Sequence, residues 1–245
     1  MHDNSGGSAS GTGSENQMIT LAIDTTAHLC AACIYDSNND RVLGLVVDDI
    51  GRGHAEHLFP IIGRAMDMAG LTYQDIERLG VCVGPGSFTG LRVGVSAMRG
   101  LSLALSLPLV GITVFEALAE TASKHEPLLV VLDALRGEIY TQLFDKQGHS
   151  AGPPAALNVE AALALAVDSH ASLTGSGASI LVDLSTDSND TLAVQGNAAA
   201  ADVTAIARLS TRREPGDSPP RPLYLRSPDA KPQTGFALAR RAIVQ

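Results

Sequence analysis

One segment constrains the fold more than any other part of the chain, and it reads VCVGPGSFTGLRVGVSAMRGLSLALSLPLVGIT over residues 81–113. An apolar run at residues 79–83 leads into a glycine-rich loop, a stretch of helical pattern over about 90–106, and a second apolar run. A strand, a helix and a strand in this order form a crossover unit whose two strands are parallel. The segment therefore predicts a sheet that is at least partly parallel and is flanked by helices.

The other apolar runs place this unit within two related lobes. Before it, the pattern predicts three antiparallel strands and an amphipathic helix, at residues 19–23, 29–35, 42–47 and 58–69. After it, the pattern predicts a helix from Thr113 with a capping box, two strands, a helix, a strand and a helix, the last five within residues 128–144, 159–167, 171–175 and 197–209. In both blocks the first strand ends in an aspartate, Asp24 or Asp133, and a hairpin follows.

Length and composition set the expected domain limits. The chain has 245 residues, 45% of them hydrophobic, which is enough for one domain or two compact lobes. We predict a disordered tail at residues 1–17, an N-terminal lobe at 18–125, a C-terminal lobe at 126–210 and a Pro/Arg-rich tail at 211–245. The Gly/Ser-rich start lacks the features of a secretory signal, and no apolar run approaches about 18 residues. We therefore expect a cytoplasmic protein that does not contact membranes.

Charge is distributed unevenly along the chain. The formal net charge is −9, yet residues 211–245 carry seven Lys or Arg against three Asp or Glu, which leaves ten against twenty-three upstream. An acidic body repels phosphodiester backbones. The body is therefore not expected to hold a nucleic acid without help from another protein.

The three cysteines point to a core role. Cys30 and Cys33 have the spacing of redox and zinc motifs, but they fall in an apolar run that predicts a strand. Residues three apart on a strand point to opposite faces. The second cysteine pair of a zinc ribbon is also missing, because Cys82 stands alone. Burial in the core is the favoured interpretation.

The glycine loop does not match a P-loop. A P-loop needs a lysine after its last glycine, and here Leu91 and Arg92 follow Gly90. A helix N-terminus behind glycines can still attract an anion, with help from Arg92. The favoured alternative is a tight strand-to-helix turn, in which Ser87 or Thr89 caps the helix.

Other candidate chemistry is weak. His54 and His57 lie at i and i+3 at the start of a helix without a third ligand nearby, so two ordinary polar residues are the favoured interpretation. Asp24 and Asp133 each close a strand, as metal-orienting carboxylates do in two-lobed nucleotide-handling folds. The turn after Asp24 lacks the glycine that would let a phosphate approach, so Asp24 is also explained as the end of a strand.

The helix predicted near residues 90–106 is apolar beyond a single stripe. A helix on a sheet usually buries one face and exposes the other to water. Either elements of the same chain cover its second face, or another protein does, and the pattern leaves both open.

Five motifs together resemble the TsaB (YeaZ) family. They are LAIDTT, GHAEHLFPII, the glycine segment with its flanks, VLDALRGEIY and PLYLR, in this order. The resemblance is strong over about residues 18–145, has a later anchor in YLR, and matches only in pattern over residues 146–210.

The resemblance implies a two-lobed actin-like, Hsp70-like fold with mixed sheets flanked by helices. It also implies a non-catalytic scaffold subunit of the machinery that makes threonylcarbamoyladenosine at position 37 of tRNA. Such a subunit pairs with a TsaD homologue, recruits a TsaE homologue, forms a homodimer when alone and meets tRNA only through the complex. No catalytic, cofactor-binding or metal-binding residue is expected in this chain, since ATP and metal belong to the partner subunits. The expected interface positions lie on the first two helices: His57, Leu58, Ile61, Ile62, Met66, Leu91, Val95, Met98 and Arg99.

Two other functions remain as alternatives to the scaffold. The first is an actin-like ATPase or small-molecule kinase that acts alone through Asp24 and Asp133. The second is a metallopeptidase that uses His54.

Overall fold

A computed structural model describes residues 18–123, 125–185 and 192–226. It shows a mixed α/β protein with two five-stranded sheets. The predicted disordered tail at residues 1–17 lies outside the described residues, as does the part of the predicted C-terminal tail beyond residue 226.

The first sheet has both antiparallel and parallel strands, as predicted. Its strands are β1 (Ile19–Asp24), β2 (Leu29–Asp36), β3 (Arg41–Asp49), β4 (Arg78–Gly84) and β5 (Leu109–Thr113). Their order in the sheet is β3-β2-β1-β4-β5. The β1–β2 and β2–β3 pairs are antiparallel, whereas β1–β4 and β4–β5 are parallel. Consequently β1 and β4 end at the same edge of the sheet.

The second sheet repeats the topology of the first. Its strands are β6 (Leu128–Asp133), β7 (Glu138–Phe144), β8 (Ala155–Asn158), β9 (Ser172–Thr174) and β10 (Val194–Gly196). Their order is β8-β7-β6-β9-β10, with β6–β7 and β7–β8 antiparallel and β6–β9 and β9–β10 parallel. The predicted pair of related lobes is confirmed at the level of topology.

Helices and sheets alternate in layers. The six α-helices of the described residues are α1 (His54–Ala69), α2 (Phe88–Leu105), α3 (Val114–Thr121), α4 (Val159–Asp168), α5 (Ala178–Ser185) and α6 (Val203–Arg212), and a short 3-10 helix covers Tyr73–Asp75. The α1 and α2 helices pack on the outer face of the first sheet. The α3 and α6 helices share one apolar cluster with both sheets, and α4 and α5 cover the outer face of the second sheet. The two lobes therefore share a continuous core through the α3 and α6 layer.

The α6 helix follows the second sheet in sequence but packs on the first. Two nitrogen–oxygen contacts fix its end, because Arg78 Nη1 donates to the carbonyl oxygens of Ser210 (3.0 Å) and Arg213 (2.7 Å). The helix begins after Asp202, whose side chain accepts a hydrogen bond from the Thr204 amide, and so later than the predicted residue 197. The α6 helix therefore joins the two lobes. The predicted limits of the lobes stay a prediction.

The three cysteines are free and buried. Cys30 contributes to the cluster under α1 and α2, whereas Cys33 contributes to the cluster under α3 and α6. The two thiols therefore lie on opposite faces of β2, as predicted from the period of a strand. Burial raises the pKa of Cys33 to about 12, so this thiol stays protonated at neutral pH.

Candidate functional site

The glycine loop packs against the turn that follows β1. A Cβ atom added to Gly86 would lie 2.3 Å from the carbonyl oxygen of Thr26, and one added to Gly90 would lie 2.0 Å from that of Thr25. A Cβ added to Gly94, one helical turn further on, would lie 2.3 Å from Thr25 Oγ1. Gly86 and Gly90 are needed because two stretches of backbone approach each other closely, and Gly94 is needed because the Thr25 side chain lies against the helix.

Hydrogen bonds fasten this contact. The Ser87 amide donates to the Thr26 carbonyl oxygen at 2.7 Å, and the Thr25 hydroxyl donates to the Gly90 carbonyl oxygen at 2.8 Å. Ser87 caps α2 by accepting a hydrogen bond from the Gly90 amide, so the predicted cap is confirmed and is Ser87 rather than Thr89. The space beside the β1 turn is thus occupied by the chain's own loop and helix.

Arg92 is engaged by aromatic side chains. Its guanidinium carbon lies 3.7 Å from the centre of the Phe88 ring, and its Nε donates to the Tyr224 hydroxyl at 3.1 Å. The Phe88 and Tyr224 rings are 5.2 Å apart between centres. Arg92 therefore stacks on a neighbouring ring in this structure, which is a common arrangement for a guanidinium.

The two strand-ending aspartates make the same local turn. Asp24 Oδ1 accepts a hydrogen bond from the Thr26 amide at 2.8 Å, and Asp133 Oδ1 accepts one from the Leu135 amide at 2.7 Å. Asp24 is buried, and removal from water raises the pKa of its carboxyl although hydrogen bonds from Thr26 oppose the shift. Both carboxylates thus serve as turn acceptors, which is the structural interpretation of the strand ends.

The two histidines at the start of α1 have separate partners. The His54 ring is buried, with its Nε2 at 3.2 Å from the Leu29 carbonyl oxygen. The exposed His57 ring places Nδ1 at 2.8 Å from the Gly53 carbonyl oxygen. Among residues 18–123, 125–185 and 192–226, no group of three His, Cys, Asp or Glu side chains is arranged to hold a metal ion.

Most of the predicted interface residues belong to the core of the chain itself, which corrects that part of the prediction. The following seven are buried: Leu58, Ile61, Ile62, Met66, Leu91, Val95 and Met98. Six of them lie in the cluster between the first sheet and its two outer helices. Their side chains are not available to a partner in this structure. His57 and Arg99 are the two predicted positions that are exposed.

The outward faces of α1 and α2 carry a different set of apolar side chains. Phe59 and Met68 on α1 are 50% and 63% exposed, and Leu103 on α2 is 83% exposed. A Cβ added to Gly63 or Gly100 would meet no atom within 4 Å, so both helices also have open, small positions. We call Phe59, Gly63, Gly100 and Leu103 the outer helical face, because Met68 lies nine residues from Phe59 and therefore on the other flank of α1.

A groove adjoins the outer helical face. It has a volume of about 710 Å³ and lies between the C-terminal half of α2 and residues 215–220, with Arg99 and Leu103 in its wall. Sequence reasoning missed Phe59 and Leu103 because both faces of these helices are apolar. The available signal was that Leu58, Ile61, Ile62 and Ala65 already fill one stripe, which leaves Phe59 outside it.

Two lobes of repeated topology that share a central helical layer define a protein of the actin-like α/β class. A family model described as "TsaD: tRNA N6-adenosine threonylcarbamoyltransferase" matches residues 32–214. The chain belongs to this family, and within it to the TsaB (YeaZ) proteins.

Relatives support this assignment at two levels of coverage. The chain is 35% identical to the Mycobacterium tuberculosis (strain ATCC 25618 / H37Rv) protein Rv3421c over 217 residues, which is 86% of this chain and 93% of the relative. It is 31% identical to the Escherichia coli "tRNA threonylcarbamoyladenosine biosynthesis protein TsaB" over 126 residues, or 50% of this chain. That match spans 53% of the relative, so the chain aligns with about half the length of this TsaB protein.

Solved structures share the fold. "YeaZ from Pseudomonas aeruginosa" superposes with a TM-score of 0.65 at 24% identity and covers 80% of this chain and 91% of that one. A second Pseudomonas aeruginosa structure, described as having similarity to peptidase YEAZ, gives a TM-score of 0.69 at 24% identity and covers 85% and 100%. No helix in the part of the chain that the structure describes is long and apolar enough to cross a bilayer.

Proposed function

We propose that this chain is a non-catalytic subunit of the cytoplasmic complex that installs threonylcarbamoyl on N6 of adenosine 37 of tRNA. In this role it pairs with a TsaD homologue and recruits a TsaE homologue, and it forms a homodimer when alone. Two relatives, from Escherichia coli and Bacillus subtilis, are named for threonylcarbamoyladenosine biosynthesis. A Bacillus subtilis tRNA N6-adenosine threonylcarbamoyltransferase is itself 31% identical over 112 residues, which fits a subunit that resembles its partner.

The observation that carries the proposal is the outer helical face. The inward sides of α1 and α2 fill the core, and Phe59 and Leu103 remain exposed to water. Exposing large apolar side chains on two adjacent helices has a free-energy cost that a docked protein removes. Small residues such as Gly63 and Gly100 allow a partner's backbone to approach closely.

The glycine loop supports the non-catalytic part of the proposal. In a phosphate-binding turn, backbone amides remain open towards the ligand. Here the Ser87 amide is bonded to Thr26, and the Gly86 and Gly90 positions are in close contact with the β1 turn. Asp24 is buried beneath this contact and faces its own backbone. These contacts favour the scaffold over an actin-like ATPase or kinase that acts alone.

The charge of the chain fits an indirect role with tRNA. The formal net charge is −9, so phosphodiester groups are repelled by the body of the protein. In the proposed complex the tRNA is therefore held mainly by other subunits.

Co-elution with the TsaD homologue of the same organism tests the pairing. The two proteins are mixed at micromolar concentration and separated by size exclusion, and we expect a single peak at the mass of a complex. Separate elution of the two proteins at that concentration contradicts the pairing. Turnover of ATP by the isolated chain that is lost in Asp24→Ala would instead support the ATPase alternative.

A further inference from the structure

The described end of the chain crosses from one lobe to the other. Pro220 lies against β5, where a Cβ added to Gly111 would be 3.0 Å from the Pro220 Cβ. Further along, the Leu223 amide donates to the Val83 carbonyl oxygen at 2.7 Å, at the end of β4. Finally Arg226 Nε donates to Glu138 Oε2 at 2.8 Å, at the start of β7 in the second sheet. Residues 219–226 thus contact both sheets.

This segment passes along the carboxyl edge of the strands. The β4 strand ends at Gly84, and β6 ends at Asp133, five residues before the Glu138 contact. In open α/β sheets, ligands bind in the crevice outside the carboxyl ends of the strands. At Gly84 the approach is close, since an added Cβ would lie 3.2 Å from the Leu223 carbonyl oxygen. The chain therefore lays its own backbone beside the edge where this class of fold offers a ligand crevice.

The contacts of the segment are of several kinds. Leu223 and Leu225 pack against the apolar cluster that both sheets share with α3 and α6. The Tyr224 ring packs at a tilt against the Phe88 ring, and its hydroxyl accepts a hydrogen bond from Arg92, which joins the segment to the first turns of α2. The Arg226 guanidinium forms an ion pair with Glu138 through both Nε and Nη2. Apolar, aromatic and charged contacts together make the attachment specific to one path.

We propose that residues 219–226 are a strap that holds the two lobes together across the carboxyl edge of their sheets. Its anchor in the first lobe is Leu223 and Tyr224, and its anchor in the second lobe is Arg226. The strap also supports the base of α2 and hence the orientation of the outer helical face. This inference concerns the isolated chain and does not depend on the proposed function.

Hydrogen exchange on the isolated full chain tests the strap. The reporter is the Leu223 amide, whose hydrogen bond to Val83 closes only while the strap is in place. Arg226→Glu places two carboxylates together, and we expect exchange at Leu223 and in residues 84–92 to become about fivefold faster. The charge-swapped double variant, Arg226→Glu with Glu138→Arg, restores the pair and is expected to restore slow exchange.

The matched control is Arg221→Glu, an identical change in charge at an exposed position of the same segment. It is expected to leave exchange at Leu223 as in the wild type. The strap is contradicted if Arg226→Glu exchanges at the wild-type rate, or if the double variant stays as fast as Arg226→Glu. Hydrogen exchange in β6 shows whether the protein as a whole stays folded. Arg226→Ala removes the ion pair without adding a negative charge, and it is expected to speed exchange at Leu223 as well. None of these measurements needs a partner subunit, so their failure is separate from failure of the proposed pairing.

Discussion

Asp24 illustrates how the same residue type serves structure in one setting and catalysis in another. Its carboxylate accepts a hydrogen bond from the Thr26 amide, and the glycine loop packs over this turn. Asp133 makes the same turn at an exposed position in the second lobe. The sequence predicted both strand ends but not the difference in burial, because burial depends on the glycine loop that arrives from residues 84–90.

Replacing Asp24 by Asn is predicted to change how stability depends on pH. Burial raises the pKa of Asp24 above 3.8, so the folded chain binds this proton more tightly than the unfolded chain does. The stability contributed by the group is therefore fully present below about pH 3.8 and decreases as pH rises through the raised pKa. Relative to wild type, Asp24→Asn should gain free energy of unfolding over that range, by about 1.4 kcal/mol for each unit of elevation.

Urea unfolding at a series of pH values measures this difference. Asp133→Asn is the matched control, since it alters the same turn hydrogen bond where the side chain is exposed. We expect the difference in free energy of unfolding between Asp24→Asn and wild type to grow as pH rises. A difference that is constant with pH, or that falls as pH rises, contradicts the interpretation.

The α2 helix combines two requirements along its length. At its N-terminus, Gly90 and Gly94 let the helix contact the β1 turn, whereas Gly100 faces open space on the outer helical face. Glycine in the interior of a helix costs about 0.5–1 kcal/mol relative to alanine. The cost at Gly90 is offset by a close contact inside the chain, and no such contact is present at Gly100.

Alanine substitutions separate these two glycines. Gly90→Ala would place a Cβ 2.0 Å from the Thr25 carbonyl oxygen, so we expect the free energy of unfolding to fall by about 1–3 kcal/mol or more. Gly100→Ala is the control in the same helix and should raise it by about 0.5–1 kcal/mol. Chemical denaturation measures both values. Equal effects of the two substitutions would show that the close contact at Gly90 is absent.

Hydrophobic periodicity predicted most helices and strands, but it missed the strands that are too short to show a pattern. The helix from Thr113 has its expected capping box with Glu116, and the first sheet has its three antiparallel strands. The β8 and β10 strands have four and three residues and are only partly buried, so their patterns are too short to detect. The interface residues were misassigned for a different reason: an apolar stripe shows that a helix face is buried, but not what covers it.

The whole molecule is a duplicated fold. Its own residues make the contacts at the carboxyl edge of the strands, where this class of fold has a crevice. The two sheets share a core through α3 and α6, and residues 219–226 join them again at the carboxyl edge. Contacts to the β1 turn occupy the space beside Asp24. The chain's own residues thus make the contacts in the core and beside Asp24. The exposed apolar side chains of α1 and α2 are therefore the feature that indicates a protein partner.

Affinity for the TsaD homologue of the same organism tests the docking role most directly. The dissociation constant is measured by titration calorimetry for wild type, Leu103→Glu and Leu135→Glu. Both leucines are exposed, 83% and 67% respectively, but only Leu103 lies on the outer helical face. We predict that Leu103→Glu binds at least about tenfold more weakly and that Leu135→Glu binds as the wild type does. Wild-type affinity in Leu103→Glu, or an equal loss of affinity in Leu135→Glu, would contradict docking through α1 and α2.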